Sequence, residues 1–152
     1  MSIEVSDKQL AVIFSDSNWS PARVVDVEGV KVAWLRAGHV PSEAAIEFVA
    51  EFDRTTFRYP RHESIGGDQD CSLDAVEAVR STFPIVIRSY EKRVGENLCP
   101  VGIAASRHLN LMLSSSGKMF GGYDSFLACY GGSGREAIWN IYNRVKGVPV
   151  SE

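Results

Sequence analysis

"CPVGIAASRHLNLMLSSSGKMFGGYDSFLACY" occupies residues 99–130, and its reading decides the fold. Apolar residues recur here with a period of two: Val101 and Ile103, then Leu109, Leu111 and Leu113, then Met119 to Tyr123, and finally Phe126, Ala128 and Tyr130. Turn residues separate the four segments and no helical pattern intervenes, so an antiparallel meander is expected. Ser115-Ser116-Gly117 reads as a hairpin turn in which Gly117 accepts positive φ.

Downstream, Ser133 with Glu136 forms a capping-box pattern, and Ile138, Ile141, Tyr142 and Val145 make the buried stripe of a last helix closed by Gly147 and Pro149. Upstream, Ser6 with Gln9 makes the same pattern ahead of Leu10, Ile13 and Phe14. Asp26 is placed to cap a second helix carrying Val27, Val30 and Trp34, with Gly38 as its stop. Ala45, Phe48, Val49 and Phe52 follow the i, i+3, i+4, i+7 rule of a third. Thr55, Phe57 and Tyr59 alternate as a short strand stopped by Pro60, and residues 61–72 read as loop. A short helix is expected from Ser72, and a longer one near Pro84 with Ile87, Tyr90, Val94 and Leu98 on one face. The expected fold class is α+β, a single domain over residues 1–152 in which N-terminal helices pack on an antiparallel β-meander closed by a C-terminal helix.

Composition narrows the function. Cys71, Cys99 and Cys129 are odd in number and have no CxxC spacing, so neither a disulfide framework nor a zinc knuckle is suggested, and no cofactor or metal is expected. No basic n-region precedes a long apolar stretch at the N-terminus, and no run reaches a membrane span. A soluble cytoplasmic monomer without a membrane partner is the expectation. Residues 1–53 hold nine acids against four bases, a net of −5, and the remainder ten acids against twelve bases, a net of +2. A net charge of −3 without a basic stripe argues against a nucleic-acid partner, because clustered Lys and Arg supply most of that affinity.

The chemistry-bearing candidates are few. Gly117-Lys118 is not a phosphate loop, since Met112 and Met119 stand where Gly and Ser or Thr are required. Gly131 to Arg135 sits at a helix start, where free N–H groups favour anions, but Ser133 and Glu136 can satisfy those donors themselves. Cys129 lies in a strand-like run, where cysteine packs as a small hydrophobe, and a catalytic role would need His39, His62 or His108 brought to it by folding. His39 and His62 read as solvated. Glu63, Asp68, Asp70, Asp74 and Glu77 place five acids within residues 63–77 with no Lys or Arg among them. This cluster is the candidate partner-binding surface, steering a basic protein, with Asp74 also favoured as a helix-start acid. Trp19, Tyr59 and Tyr123 are candidate aromatic anchors.

"NWSPAR" (18–23), "AAIEFVAEF" (44–52), "CPVG" (99–102), "LNLMLSSSGKMF" (109–120), and "GREAIW" (134–139) leading to "NRVKG" (143–147) occur in an order that resembles the third immunity-protein branch of the SUKH superfamily. The resemblance runs from about Trp19 to Gly147. Trp19, Pro21 and Arg23 resemble the branch's tryptophan-proline-arginine opening, but Asn18 and Ala22 stand where glycines are more usual. Asp53-Arg54 stands where Gly-Gly commonly follows the Ala-rich helix. The resemblance implies a non-catalytic immunity protein of a bacterial polymorphic toxin system, whose partner is a cognate toxin domain, frequently a nuclease or nucleic-acid deaminase. The rival readings are a general SUKH-type interaction domain in regulation or scaffolding, and a small enzyme using Cys129 or the Gly131–Arg135 corner.

Overall fold

The computed structural model describes residues 4–59 and 68–152. Helix α1 (Asp7–Ile13) opens with the expected capping box, Ser6 accepting the Gln9 N–H while Gln9 reaches back to the Ser6 N–H. In α2 (Glu28–Arg36) the Asp26 carboxylate accepts the Glu28 N–H at 3.0 Å, so Asp26 helps to start the helix although Val27 is its N-cap. Ser42 caps α3 (Glu43–Phe52), whose Ala45, Phe48, Val49 and Phe52 are all buried. Strands β1 (Thr55–Tyr59) and β2 (Gln69–Leu73) follow, then α4 (Ala75–Arg80) and α5 (Pro84–Val94). The meander supplies β3 (Leu98–Ala104), β4 (Leu109–Ser114), β5 (Met119–Tyr123) and β6 (Phe126–Gly131), and α6 (Gly134–Tyr142) and β7 (Val148–Pro149) end the chain.

Among the described residues seven strands form one antiparallel sheet in the order β1 to β7, each paired with its sequence neighbours. The α+β layout is therefore as read, and Gly117 turns the β4–β5 hairpin at φ +92°. Four local expectations are corrected. Gln69–Leu73 is strand where loop was expected, because only Cys71 and Leu73 carry the period-two signal and pairing on both sides recruits their polar neighbours. The following helix starts at Ala75, since Asp74 takes the N-cap. Leu98 belongs to β3, because Gly95 at φ 75° ends α5 first. Val145 lies beyond α6 and is exposed, while residues 148–149 add a last short strand.

Strand alternation sorts the core into two layers. Cys99, Val101, Leu111, Leu113 and Met119 face the large cluster built by α1, α2, α3 and α6. Leu98, Met112, Phe120 and Leu127 face the opposite way and are covered by Ile87 and Tyr90 of α5. Helices on both faces explain why β3 and nearly all of β4 are buried throughout instead of alternating apolar with polar.

The "NWSPAR" stretch is structural. Trp19 stacks on Phe52 with ring centroids 6.2 Å apart, and Arg23 donates to the Glu51 and Asp53 carbonyls at 2.8 Å each, closing the C-terminus of α3. Ala22 and Arg54 sit at φ 62° and 63°, the left-handed region that costs a side-chain-bearing residue about 1–2 kcal/mol. These are two of the positions at which the resemblance finds glycine more usual. Ala22→Gly and Arg54→Gly should each raise stability by about 0.5–1 kcal/mol, after allowing for the greater freedom of glycine in the unfolded chain. A urea midpoint moving upward checks this. The exposed Arg54 gives up only a 3.8 Å contact with Asp53.

Candidate functional site

Of the five sequence-selected acids, four lie among the described residues and they do different work. Asp74 caps α4, its carboxylate accepting the Glu77 N–H at 3.1 Å. Glu77 is tied to Arg107 across the β3–β4 turn at 2.9 Å, and that charged hydrogen bond holds its carboxyl below the usual range. Asp68 and Asp70 are exposed at the start of the β2 segment, with no ion pair to another described residue. Glu63 and His62 lie outside the described residues.

Asp68 lines a groove of about 460 Å³ beside β1. Its walls are Val12, Ile13, Ser15 and Asp16 from α1 and the turn after it, Thr56, Phe57 and Arg58 from β1, and Tyr142 from the end of α6. Phe57 and Tyr142 meet with ring centroids 6.2 Å apart at its floor, and Val12 remains 63% exposed. Asp16 and Val12 escaped sequence reading. The available signal was Val12 standing off the buried face formed by Leu10, Ile13 and Phe14, an apolar residue on a polar side. A second groove, between α2 and α4, has the opposite character: Val32, Val76 and Val79 are flanked there by Arg36 and Arg80.

The other candidates resolve into packing. At the Gly131–Arg135 corner the Ser133 hydroxyl accepts the Glu136 N–H at 3.1 Å, and the Glu136 carboxylate accepts the Gly132 N–H at 2.7 Å. Arg135 turns away to Asp7 at 3.0 Å and Glu51 at 2.6 Å, so its guanidinium and the Gly132 and Glu136 N–H groups already have partners. Cys71 and Cys99 are buried, and burial pushes both thiols up, Cys99 to about 11. Cys129 is half-buried beside the α5 cluster, with its sulfur 3.5 Å from the Gly131 carbonyl.

His39, expected to be solvated, is buried. Its Nδ1 stands 3.3 Å from Arg88 Nη2, and burial together with the Arg88 charge pushes its pKa down. Arg88 bridges to the Gly38 carbonyl and to Glu91, fixing α5 against the end of α2. His108 is exposed in the β3–β4 turn. Among the aromatic candidates Trp19 and Tyr59 are core, Tyr59 Oη accepting the Ala105 N–H at 2.9 Å. Tyr123 is 48% exposed and stacks on Phe126 at the β5–β6 turn.

The family model described as SUKH-3 immunity protein matches residues 6–144. No curated protein and no solved structure matches the chain. The matched span starts at the capping serine of α1 and runs past the end of α6, taking in the helices, β1 to β6 and the groove between α1, β1 and α6. The chain belongs to the SUKH-3 immunity protein family.

Proposed function

We propose that the chain neutralises a cognate bacterial toxin domain, a nuclease or nucleic-acid deaminase, by binding it one to one and covering its active site or substrate path. The observation that carries this reading is the family match over residues 6–144. The charge distribution supports it. Enzymes that handle nucleic acid present cations to phosphate, and an acidic rim complements such a surface. With Asp74 engaged in a cap and Glu77 in an ion pair, steering falls to Asp68 and Asp70, joined by Asp16 across the groove. A specific complex of this kind buries about 1,600 Å² in total.

Co-expression with the product of an adjacent toxin gene should restore growth, and the two proteins should co-purify. Reversing both charges, Asp68→Lys with Asp70→Lys, should lower the association rate about tenfold and flatten its salt dependence. An unchanged rate and salt slope would remove the steering role; a wild-type chain that neither binds nor rescues would remove the neutralisation reading. A regulatory or scaffolding role has one observation in its favour, the α2–α4 groove with Arg36 and Arg80 on its rim, which fits a partner of opposite charge.

A further inference from the structure

We infer that the outer edge of β1 takes up an extended, Lys- or Arg-bearing segment of the toxin domain as an eighth strand. The inference rests on the neutralisation reading and says how the partner is held.

The backbone of β1 shows which groups are open. The Asp70 carbonyl accepts the Ser106 N–H on the side away from β1, and Asp70 stands opposite Arg58 in the β1–β2 register, so Arg58 turns its backbone groups away from β2. The Thr56 N–H leaves the sheet altogether and donates to Ser17 Oγ at 3.2 Å. Successive residues of a strand turn their backbone groups to opposite sides. Thr55, Phe57 and Tyr59 therefore pair with β2, and Thr56 and Arg58 face outward. Ser17 occupies the Thr56 N–H; no described residue partners the Thr56 carbonyl or the N–H and carbonyl of Arg58.

The groove is shaped for a chain lying along this edge. Three consecutive β1 residues, Thr56, Phe57 and Arg58, line it, so it follows the strand instead of one of its faces. Strand addition takes affinity from main-chain hydrogen bonds and specificity from side-chain pockets, and here the pockets are apolar at Val12, Phe57 and Tyr142 and acidic at Asp16 and Asp68. Those acids choose the occupant. The lining sets Asp16 and Asp68 against the single cation Arg58, so two copies of this chain would bring net-acidic linings together, whereas a segment richer in cations would pair with the acids.

Arg58→Pro removes the outward N–H without touching a β1–β2 hydrogen bond, a substitution that an edge strand tolerates. Against the toxin domain from the adjacent gene, calorimetric titration should show Arg58→Ala within about threefold of wild type and Arg58→Pro about tenfold or more weaker. Circular dichroism checks that both variants fold. Should Arg58→Pro not fold, amide exchange of the wild-type chain decides the question, since the Arg58 N–H should become protected on toxin binding. Equal affinities for the two variants, an Arg58 amide left unprotected in the complex, or a wild-type dimer that Arg58→Pro splits would each overturn strand addition, while rescue by the wild type would still support neutralisation.

Discussion

Trp34→Ala should cost about 3–5 kcal/mol, the range for truncating a large buried aromatic, and so remove much of the stability of a domain this size. Trp34 is fully buried on α2, and its Nε1–H donates to the Pro100 carbonyl at 2.9 Å, 66 residues away in sequence. Pro100 lies inside a central strand, where it cannot donate to the ladder, and the β3–β4 register shifts between Pro100 and Gly102 to accommodate it. The indole thus plugs the core beneath α2 and also satisfies a carbonyl at the bulge. Trp34→Phe separates the two contributions: most of the area stays, the carbonyl loses its partner, and about 1–3 kcal/mol should be lost. Urea unfolding of both variants measures the difference. A Trp34→Phe variant as stable as wild type would mean that the hydrogen bond contributes nothing.

Gly131→Ala should be the next most damaging, at about 3 kcal/mol, although it adds a single methyl group. A Cβ at Gly131 would lie 2.5 Å from the Ala137 N and 2.9 Å from its Cα. Both are backbone atoms of α6, pinned by the Ser133 cap and by the Glu136 bond to Gly132, so relief requires moving the helix off the sheet. The β5–β6 register also shifts beside Met119, which is paired with Gly131, and this brings β6 close under the helix start. Gly29→Ala is the control. It lies exposed within α2 with nothing near its missing Cβ, and it should gain about 0.5–1 kcal/mol from helix propensity. A Gly131 variant as stable as wild type would show that the corner yields more easily than its geometry implies.

Sequence reading located the meander because four strands repeat one period between recognisable turns, α1 and α6 because each starts at a serine capping pattern, and α3 because its apolar residues keep helical spacing. It missed β2 because two apolar residues are too few to declare a period, and it missed the covering of the second sheet face because Ile87 and Tyr90 show only that α5 has a buried side. The departures at Ala22 and Arg54 were visible as sequence differences, but their meaning needed the φ angles. The site was less legible than the fold. Five neighbouring acids looked alike in one dimension; in three, Asp74 serves a helix start, Glu77 serves a turn through Arg107, and Asp68 joins Asp16, 52 positions earlier, in one groove. Adjacency of that kind depends on the β1 edge and leaves no pattern along the chain.

Pairing of every strand with its sequence neighbours also bears on how the molecule comes together. Closing short loops costs little entropy, so β3 to β6, joined by short turns, can zip hairpin by hairpin, whereas the β2–β3 and β6–β7 pairings wait on the helices between them. Docking of α6 against β1 is different, since it joins segments some eighty residues apart. Because the groove beside β1 draws on Val12, Phe57 and Tyr142 together, it exists only after that long closure has been made, and a partially folded chain has nothing to offer there.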